Sequence, residues 1–289
     1  MANNMKDDVL KIDFIGIGAI KAATSWIYEC LQEHPKIELA PKDQKDKVFF
    51  FKAKHNIEEF KKYKTYFNKR NILKGDFHAA YLTSPEIIDR AKEHNRDMKI
   101  VVCLRDPIER AYSEYRFLKF SRGAIWNNLE QGIQEDSRIL EHGFYYKYLK
   151  DYFDVFPREN ILVLIYEDIR KDPTKFIQRI YEFLEVNSDF IAPSMNTKVN
   201  LTSFKFTKLG GLIHKKIIKP LLKNTKWAWK LKKSIFLKKL LFKFSEFYSR
   251  KSKPAEEISP KTYEQLKNVY KQDIANLEKL INRDLSFWK

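Results

Sequence analysis

The feature that most constrains the fold of this chain is a series of short, apolar segments separated by longer amphipathic ones. Residues 99–104 and 161–165 are the clearest of these segments. A strand that is apolar on both faces must be covered on both, which is typical of a parallel sheet between helices. The pattern predicts an α/β fold, a single domain with a central parallel sheet. Strands are predicted at 12–18, 37–40, 74–77, 99–104 and 161–165, and helices at 22–32, 84–95, from 107, at 173–184 and at 260–280.

Length and cysteine usage fit one globular domain in a reducing compartment. The chain has 289 residues, enough for one large α/β domain. Its two cysteines, Cys30 and Cys103, lie in apolar segments, so we expect free, buried thiols. Residues 1–10 lack signal-peptide character, and no apolar run has the length of a membrane span. We therefore expect a soluble, cytoplasmic protein.

The positive charge of the chain is concentrated in one segment. The formal net charge is +17, and residues 205–253 alone contain 16 lysines or arginines against one acidic residue, Glu246. The rest of the chain is nearly neutral. The basicity is therefore a local feature and calls for a local explanation.

The end of the first predicted strand has the chemistry of an anion site. After Gly18 the chain places Lys21, Thr24 and Ser25 at a turn into a helix. Backbone N–H groups at a helix start attract anions, and a lysine adds a point charge. The magnesium-binding hydroxyl that follows the lysine in nucleotide P-loops is replaced by Ala22, which disfavours a metal-dependent NTPase. The alternative is a structural turn with a surface lysine and Thr24 as the helix cap.

A second strand end, after residues 99–104, carries an arginine and a hydroxyl. Arg105 directly follows the strand, where its guanidinium can make a bidentate contact with a phosphate. Ser113 follows about two helical turns later. The alternative is purely structural, with Asp106 as a helix cap and surface salt bridges involving Arg110 and Glu114.

Together these two segments resemble the donor-binding motifs of the sulfotransferase superfamily, in its carbohydrate-type or bacterial branch. The resemblance implies one sulfotransferase domain over residues 1–289, with a P-loop-like phosphosulfate-binding turn and a helical C-terminal cap that includes the basic segment 205–253. Other matching pieces are His34-Pro35, Tyr166-Glu167-Asp168, Lys171-Asp172-Pro173, Phe183-Leu184 and the C-terminal Arg283-Asp284-Leu285-Ser286 with Trp288.

The family resemblance implies a donor and roles for the matched residues. The donor is 3'-phosphoadenosine 5'-phosphosulfate, the product is adenosine 3',5'-bisphosphate, and no metal is needed. Lys21 is expected at the 5'-phosphate and the bridging oxygen, and Arg105 with Ser113 at the 3'-phosphate. The other expected donor contacts are Ala22, Ala23, Thr24 and Ser25 in the turn, Tyr166 near the adenine and Lys205 near the 3'-phosphate.

A general base must deprotonate the acceptor, and two residues compete for the role. Asp46 lies in a segment, 45–50, that resembles one in which carbohydrate sulfotransferases carry a glutamate base. His78 follows a strand at a position that resembles the histidine base of small-molecule sulfotransferases, and histidine titrates near neutrality. Asp76 is placed to orient either group, and a structural role for His78 remains open.

The sequence allows several alternatives for the acceptor and for the role of the basic segment. A carbohydrate hydroxyl is the first expectation for the acceptor, followed by a hydroxyl or amine of a small metabolite or natural product. A non-catalytic polyanion-binding protein on the same fold is the alternative from another class. Segment 205–253 is interpreted as a solvated cap, a glycan or polyanion contact, or a peripheral contact with an anionic membrane. No nucleic acid is expected, because nothing indicates base readout.

Overall fold

A computed structural model of the chain shows one five-stranded parallel sheet. It describes residues 10–41, 63–69, 71–196 and 257–288. The strand order is β2-β3-β1-β4-β5, with every neighbouring pair parallel. All five strands lie where the apolar pattern predicts them. They are β1 (Phe14–Gly18), β2 (Ile37–Leu39), β3 (Leu73–Phe77), β4 (Lys99–Leu104) and β5 (Ile161–Ile165).

Helices connect the strands and cover the sheet, and the expected ones are present. Four further helices are present, at residues 129–135, 138–141, 145–155 and 167–171. Three of these are short, and the helix at 145–155 is rich in tyrosine, which obscures its amphipathic pattern. The helices of the described residues are α1 (Thr24–Glu33), α2 (Glu86–His94), α3 (Pro107–Phe117), α4 (Leu129–Glu135), α5 (Arg138–Glu141), α6 (Tyr145–Val155), α7 (Glu167–Lys171), α8 (Pro173–Phe183) and α9 (Pro260–Ile281).

Helix α3 begins where its sequence signals place it. The Asp106 carboxylate accepts from the backbone N–H groups of Ile108 and Glu109, and Pro107 occupies the first helical position. Pro107 has no N–H to leave unpaired there. The helix ends in a π-helical turn, Leu118–Arg122. The start of α3 is therefore fixed directly after the end of β4.

The central strands are buried on both faces, as their apolar runs require. Every residue of β1 is buried, and β4 is buried from Ile100 to Leu104. The two cysteines are free and buried in this core, as expected. Gly16 lies against the Phe77 ring so closely that a Cβ there would be 2.1 Å from a ring carbon. The strand contact at this position therefore requires glycine.

The C-terminal helix closes the described part of the molecule. Asp273 of α9 accepts from the backbone N–H groups of Tyr146 and Lys147 at the start of α6. Beyond α9, Arg283 pairs with Asp168 at 2.6 Å, and Trp288 is buried. This helical C-terminal segment matches the expected cap, whereas residues 205–253 lie outside the described residues. No helix in the described ranges combines the length and apolar character that a membrane span requires.

Candidate active site

The candidate site lies at the carboxyl ends of β1 and β4, at the switch point of the sheet. The chain leaves β1 through α1 toward β2 on one side, and it leaves β4 toward β5 on the other. Neighbouring loops that diverge in this way leave a crevice, which is where α/β sheets bind ligands. The two strand ends singled out from the sequence are therefore neighbours in space.

The turn after β1 presents a helix N-terminus to this crevice. The N–H of Ala19 donates to the carbonyl of Cys103 at 2.7 Å, which ties the turn to the end of β4. Lys21 and Ala23 both have positive φ, 67° and 58°. Ala23 is the cap residue of α1 and has no side-chain hydrogen bond to the helix. The N–H groups of Trp26 and Ile27 donate to the Ala23 carbonyl at 2.9 and 3.1 Å. The very start of the helix, at Thr24, is therefore the part suited to an anion.

The structure of this turn differs from the structural alternative, in which Lys21 is a surface residue and Thr24 caps the helix. Thr24 is the first helical residue and not the cap, and its side chain is buried. Lys21 is half-buried and is not an ordinary surface lysine. Ser25 is also half-buried, in the first turn of α1. The left-handed backbone at Ala23 is a conformation that glycine adopts more easily than alanine.

The ammonium of Lys21 lies against α3. Its Nζ is 4.4 Å from the centroid of the Phe117 ring. Burial lowers the pKa of Lys21, the charge of Glu114 opposes that effect, and the charge of Arg105 adds to it. Phe117 was not singled out from the sequence, because a helix-end phenylalanine carries no signal of this contact.

Arg105 connects the two strand ends. Its Nη1 makes a long contact, 3.5 Å, with the carbonyl of Lys21, and its Nη2 pairs with Glu109 at 3.0 Å. The guanidinium packs on the Tyr166 ring, with 4.7 Å between Cζ and the centroid. Its Nε is buried and has no hydrogen-bond partner among the described residues. The Arg105 carbonyl accepts from the Tyr145 hydroxyl at 2.7 Å.

Arg105 therefore has a donor left for a ligand, beside the Lys21 turn. Tyr166, expected near an adenine, lies at this same end of the sheet through its contact with Arg105. Ser113 is half-buried on α3, six residues after Pro107. The expected pairing of Arg110 with Glu114 is present. It is buried and not on the surface, since Arg110 is 0% exposed.

His78 lies beside the turn, at the end of β3. Its backbone N–H donates to the carbonyl of Gly16 at 2.9 Å, and the Ala79 carbonyl lies against Gly18. The His78 ring is buried, and its Nδ1 accepts from the backbone N–H of Ala80 at 3.1 Å. An accepting Nδ1 carries no hydrogen, so in the neutral ring the hydrogen is on Nε2. In this arrangement His78 is a hydrogen-bond donor through Nε2.

Asp76 lies beneath His78 and holds Tyr81. The Tyr81 hydroxyl donates to the Asp76 carboxylate. Burial raises the pKa of Asp76 to about 6, against hydrogen bonds from Tyr81, Tyr63 and the backbone of Phe77 that lower it. Asp76 thus contacts the ring that packs beside His78, at 5.2 Å between centroids.

The other predicted site residues lie outside the described residues. These are Asp46, the alternative base, and Lys205. Among the residues that the structure describes, no group of three His, Cys, Asp or Glu side chains is arranged to hold a metal ion.

Comparisons with known proteins agree on one family. The sulfotransferase domain model matches residues 11–278. The chain is 30% identical over 140 residues to the membrane-associated sulfotransferase kil1 of Dictyostelium discoideum, covering 45% of this chain and 29% of that protein. It is 27% identical over 192 residues to the human bifunctional heparan sulfate N-deacetylase/N-sulfotransferase 3, covering 60% of this chain and 22% of that protein. The matches thus span less than a third of either relative.

One solved structure shares the fold over nearly the full length of both chains. The sulfotransferase from Alicyclobacillus acidocaldarius superposes with a TM-score of 0.67 at 20% identity, covering 97% of this chain and 99% of that one. At this identity the likeness establishes the fold, and it agrees with the α/β architecture that the apolar pattern predicts.

Proposed function

The chain belongs to the sulfotransferase domain family, and from that premise we propose that it transfers a sulfuryl group from 3'-phosphoadenosine 5'-phosphosulfate to a carbohydrate hydroxyl. The observation that carries this proposal is the meeting of the Lys21 turn and Arg105 at one crevice, through the contact of the Arg105 guanidinium with the Lys21 carbonyl. One segment supplies a helix N-terminus and an ammonium, and the other supplies a guanidinium. Two separate cationic sites suit a donor with phosphates at both its 5' and 3' ends.

The residues present fit such a donor. The buried, unpartnered Nε of Arg105 provides a hydrogen-bond donor for the 3'-phosphate, with the Ser113 hydroxyl as the second expected contact. The turn from Ala22 to Ser25 would hold the 5'-phosphate through backbone N–H groups and the hydroxyls of Thr24 and Ser25. The ring of Tyr166 would lie near the adenine, and Lys205 would add to the 3'-phosphate site.

Lys21 is placed to act on the leaving group. When the donor is bound, its sulfuryl group is the one transferred, and negative charge grows on the bridging oxygen as the bond to sulfur lengthens. A fixed cation at that oxygen stabilises the transition state more than the ground state. Because Lys21 rests on the Phe117 ring in a half-buried position, its ammonium is held in place before the reaction.

For the acceptor we propose that His78 orients the hydroxyl and that Asp46 removes its proton. The hydrogen bond from the Ala80 N–H to Nδ1 supports this division. To accept a proton at Nε2, the His78 ring would have to move its own hydrogen to Nδ1 and lose that bond. As a donor, Nε2–H can bind the acceptor oxygen without any such change.

A carbohydrate acceptor is supported by two observations. A heparan sulfate enzyme is among the relatives of the chain. In addition, exposed Arg122 lies 5.7 Å from the same Phe117 ring that Lys21 contacts, so positive charge continues from Lys21 along the end of α3. This suits a saccharide that already carries acidic groups. A small-molecule hydroxyl or amine is the other acceptor class to be assayed.

The test of the donor is calorimetric titration with adenosine 3',5'-bisphosphate, AMP and magnesium-ATP. We expect the bisphosphate to bind at least about tenfold more tightly than AMP, since charge-assisted bonds contribute about 1.5–3 kcal/mol. Arg105→Ala should abolish that preference. Arg96→Ala, at the opposite end of β4, is the matched control and should keep it. Preference for magnesium-ATP would contradict the proposal. If the bisphosphate is preferred, candidate acceptors are screened by transfer of labelled sulfate.

A further inference from the structure

A buried carboxylate lies on α3, in a cluster that the transfer chemistry described above does not use. Glu114 of α3 is 7% exposed and pairs with Arg110, one turn earlier on the same helix. Its Oε1 also accepts from Nδ1 of His142 at 3.1 Å. We call Glu114, Arg110 and His142 the Glu114 cluster.

The Glu114 cluster is anchored on two sides. Arg110 is fully buried, and its Nη2 donates to the carbonyl of Ile139 in α5. His142 follows α5 directly. The cluster therefore joins α3 to α5, and the position of the Glu114 carboxylate is fixed from both elements.

The carboxylate of Glu114 is held in its ionised form. Burial alone would raise the pKa of Glu114, but the hydrogen bonds and charges of His142 and Arg110 lower it below its usual value. The Glu114 carboxylate also interacts electrostatically with Arg138 of α5 and with Tyr270 of α9. Removing either partner of the pair of Glu114 and Arg110 would leave an uncompensated buried charge, so the pairing keeps the carboxylate in place.

Helix α3 links the cluster to Lys21 through Phe117. Glu114 precedes Phe117 by three residues, so both side chains lie on the same side of the helix. The Lys21 ammonium rests on the Phe117 ring at 4.4 Å. Among the described residues, the charged groups that act on Lys21 are Glu114, which favours its protonated form, and Arg105, which opposes it together with burial. Glu114 thus opposes, in part, the two effects that lower the pKa of Lys21.

We propose that Glu114 is a positioning residue for the transfer reaction, whose buried carboxylate, fixed by Arg110 and His142, keeps Lys21 charged and seated on the Phe117 ring. The catalytic consequence rests on the proposed function, since a neutral Lys21 cannot stabilise charge on the leaving oxygen. The electrostatic pairing itself can be measured without any donor or acceptor.

The test compares the full-length wild type with two variants, Glu114→Gln and the double variant Glu114→Gln with Arg110→Met. The double variant leaves no unpaired buried arginine, so it keeps the proposal testable if the single variant fails to fold. Glu93→Gln, an exposed glutamate of α2, is the matched control. The readout is the pH dependence of Lys21 acetylation by acetic anhydride, measured by mass spectrometry against exposed Lys92 in the same sample.

The expected result is a Lys21 titration displaced to lower pH in Glu114→Gln and unchanged in Glu93→Gln. The displacement should be smaller in the double variant, because a positive charge is lost there together with the negative one. The alkaline limb of kcat should move to lower pH by the same amount, which loss of packing alone would not produce. An unchanged Lys21 titration in a folded variant overturns the proposal. A displaced titration in a protein that transfers nothing from the donor supports the pairing and removes the proposed function instead.

Discussion

At the scale of single residues, the roles proposed for His78 and Asp46 predict different effects of substitution. If His78 donates through Nε2, a glutamine should replace it in part, because its amide nitrogen reaches a position similar to Nε2. We expect His78→Gln to retain far more activity than His78→Ala. Asp46→Asn should lower kcat by about 10²–10⁴-fold, the usual contribution of a general base.

The measurement that separates the two roles is the pH profile of kcat for each variant. With Asp46 as the base, His78→Gln should keep the acidic limb of the profile, and Asp46→Asn should lose it. Loss of that limb in His78→Gln, with Asp46→Asn still active, would assign the base to His78.

Asp76 gives the stability of the protein a predicted dependence on pH. Its pKa is raised from 3.8 to about 6, so the folded chain binds the proton more tightly than the unfolded chain does. Stability from this residue is therefore present at low pH and is lost as pH rises from about 4 to 6, by about 3 kcal/mol in total. Asp76→Asn removes the ionisation while keeping an acceptor for Tyr81.

Urea unfolding of wild type and Asp76→Asn at pH 4.5 and pH 7 measures this effect. The free energy of unfolding of Asp76→Asn should rise relative to wild type between the two pH values. A constant difference between the two proteins would show that Asp76 titrates as it does in water.

At the scale of elements, the contact between β1 and β3 depends on glycine, with no side chain, at position 16. A Cβ on Gly16 would lie 2.1 Å from the Phe77 ring. Gly16→Ala should therefore destabilise the protein by about 3 kcal/mol, at the upper end of overpacking effects. Adding Phe77→Ala should relieve the clash, so the double variant should be more stable than the sum of the single losses implies. Strictly additive losses in urea unfolding would contradict this account.

The elements differ in how well the sequence predicts them. The strands were predictable because burial on both faces leaves a continuous apolar run, as in β4 and β5. The helix α6 was not, since tyrosines such as Tyr145 and Tyr152 bury a ring while their hydroxyls bond to backbone carbonyls. Composition alone does not distinguish such residues from surface ones. The helices α4, α5 and α7 are too short to show a helical period.

The residues of the candidate site also differ in how well the sequence predicts their positions. Lys21 and Arg105 were predictable because they follow glycine or an apolar strand at the carboxyl end of the sheet. The buried state of Arg110 and the contact of Phe117 with Lys21 were not, because both depend on which face of α3 meets α5 and the turn. That choice is made by tertiary packing and leaves no local signal.

At the scale of the whole molecule, the C-terminal residues are connected to the proposed donor site through two aromatic residues. Trp288 is 1% exposed and packs on Tyr145 at 6.1 Å between centroids. The Tyr145 hydroxyl in turn donates to the carbonyl of Arg105. Through Tyr145, Trp288 thus helps to fix the backbone from which the Arg105 guanidinium extends, although it lies more than 180 positions after Arg105 in the sequence.

This connection predicts that Tyr145→Phe will weaken donor binding more than its effect on stability suggests. The lost hydroxyl leaves the Arg105 carbonyl without that bond, at a cost of about 1–3 kcal/mol, and it loosens the residue expected to hold the 3'-phosphate. Tyr152→Phe is the matched control, because its hydroxyl lies on the same helix and bonds to the carbonyl of Tyr81 at 2.9 Å. Both variants should lose similar stability in urea, but only Tyr145→Phe should raise the Kd for adenosine 3',5'-bisphosphate, by several-fold. Equal losses of donor affinity in the two variants would mean that α6 acts on the site only through general stability, and not through Arg105.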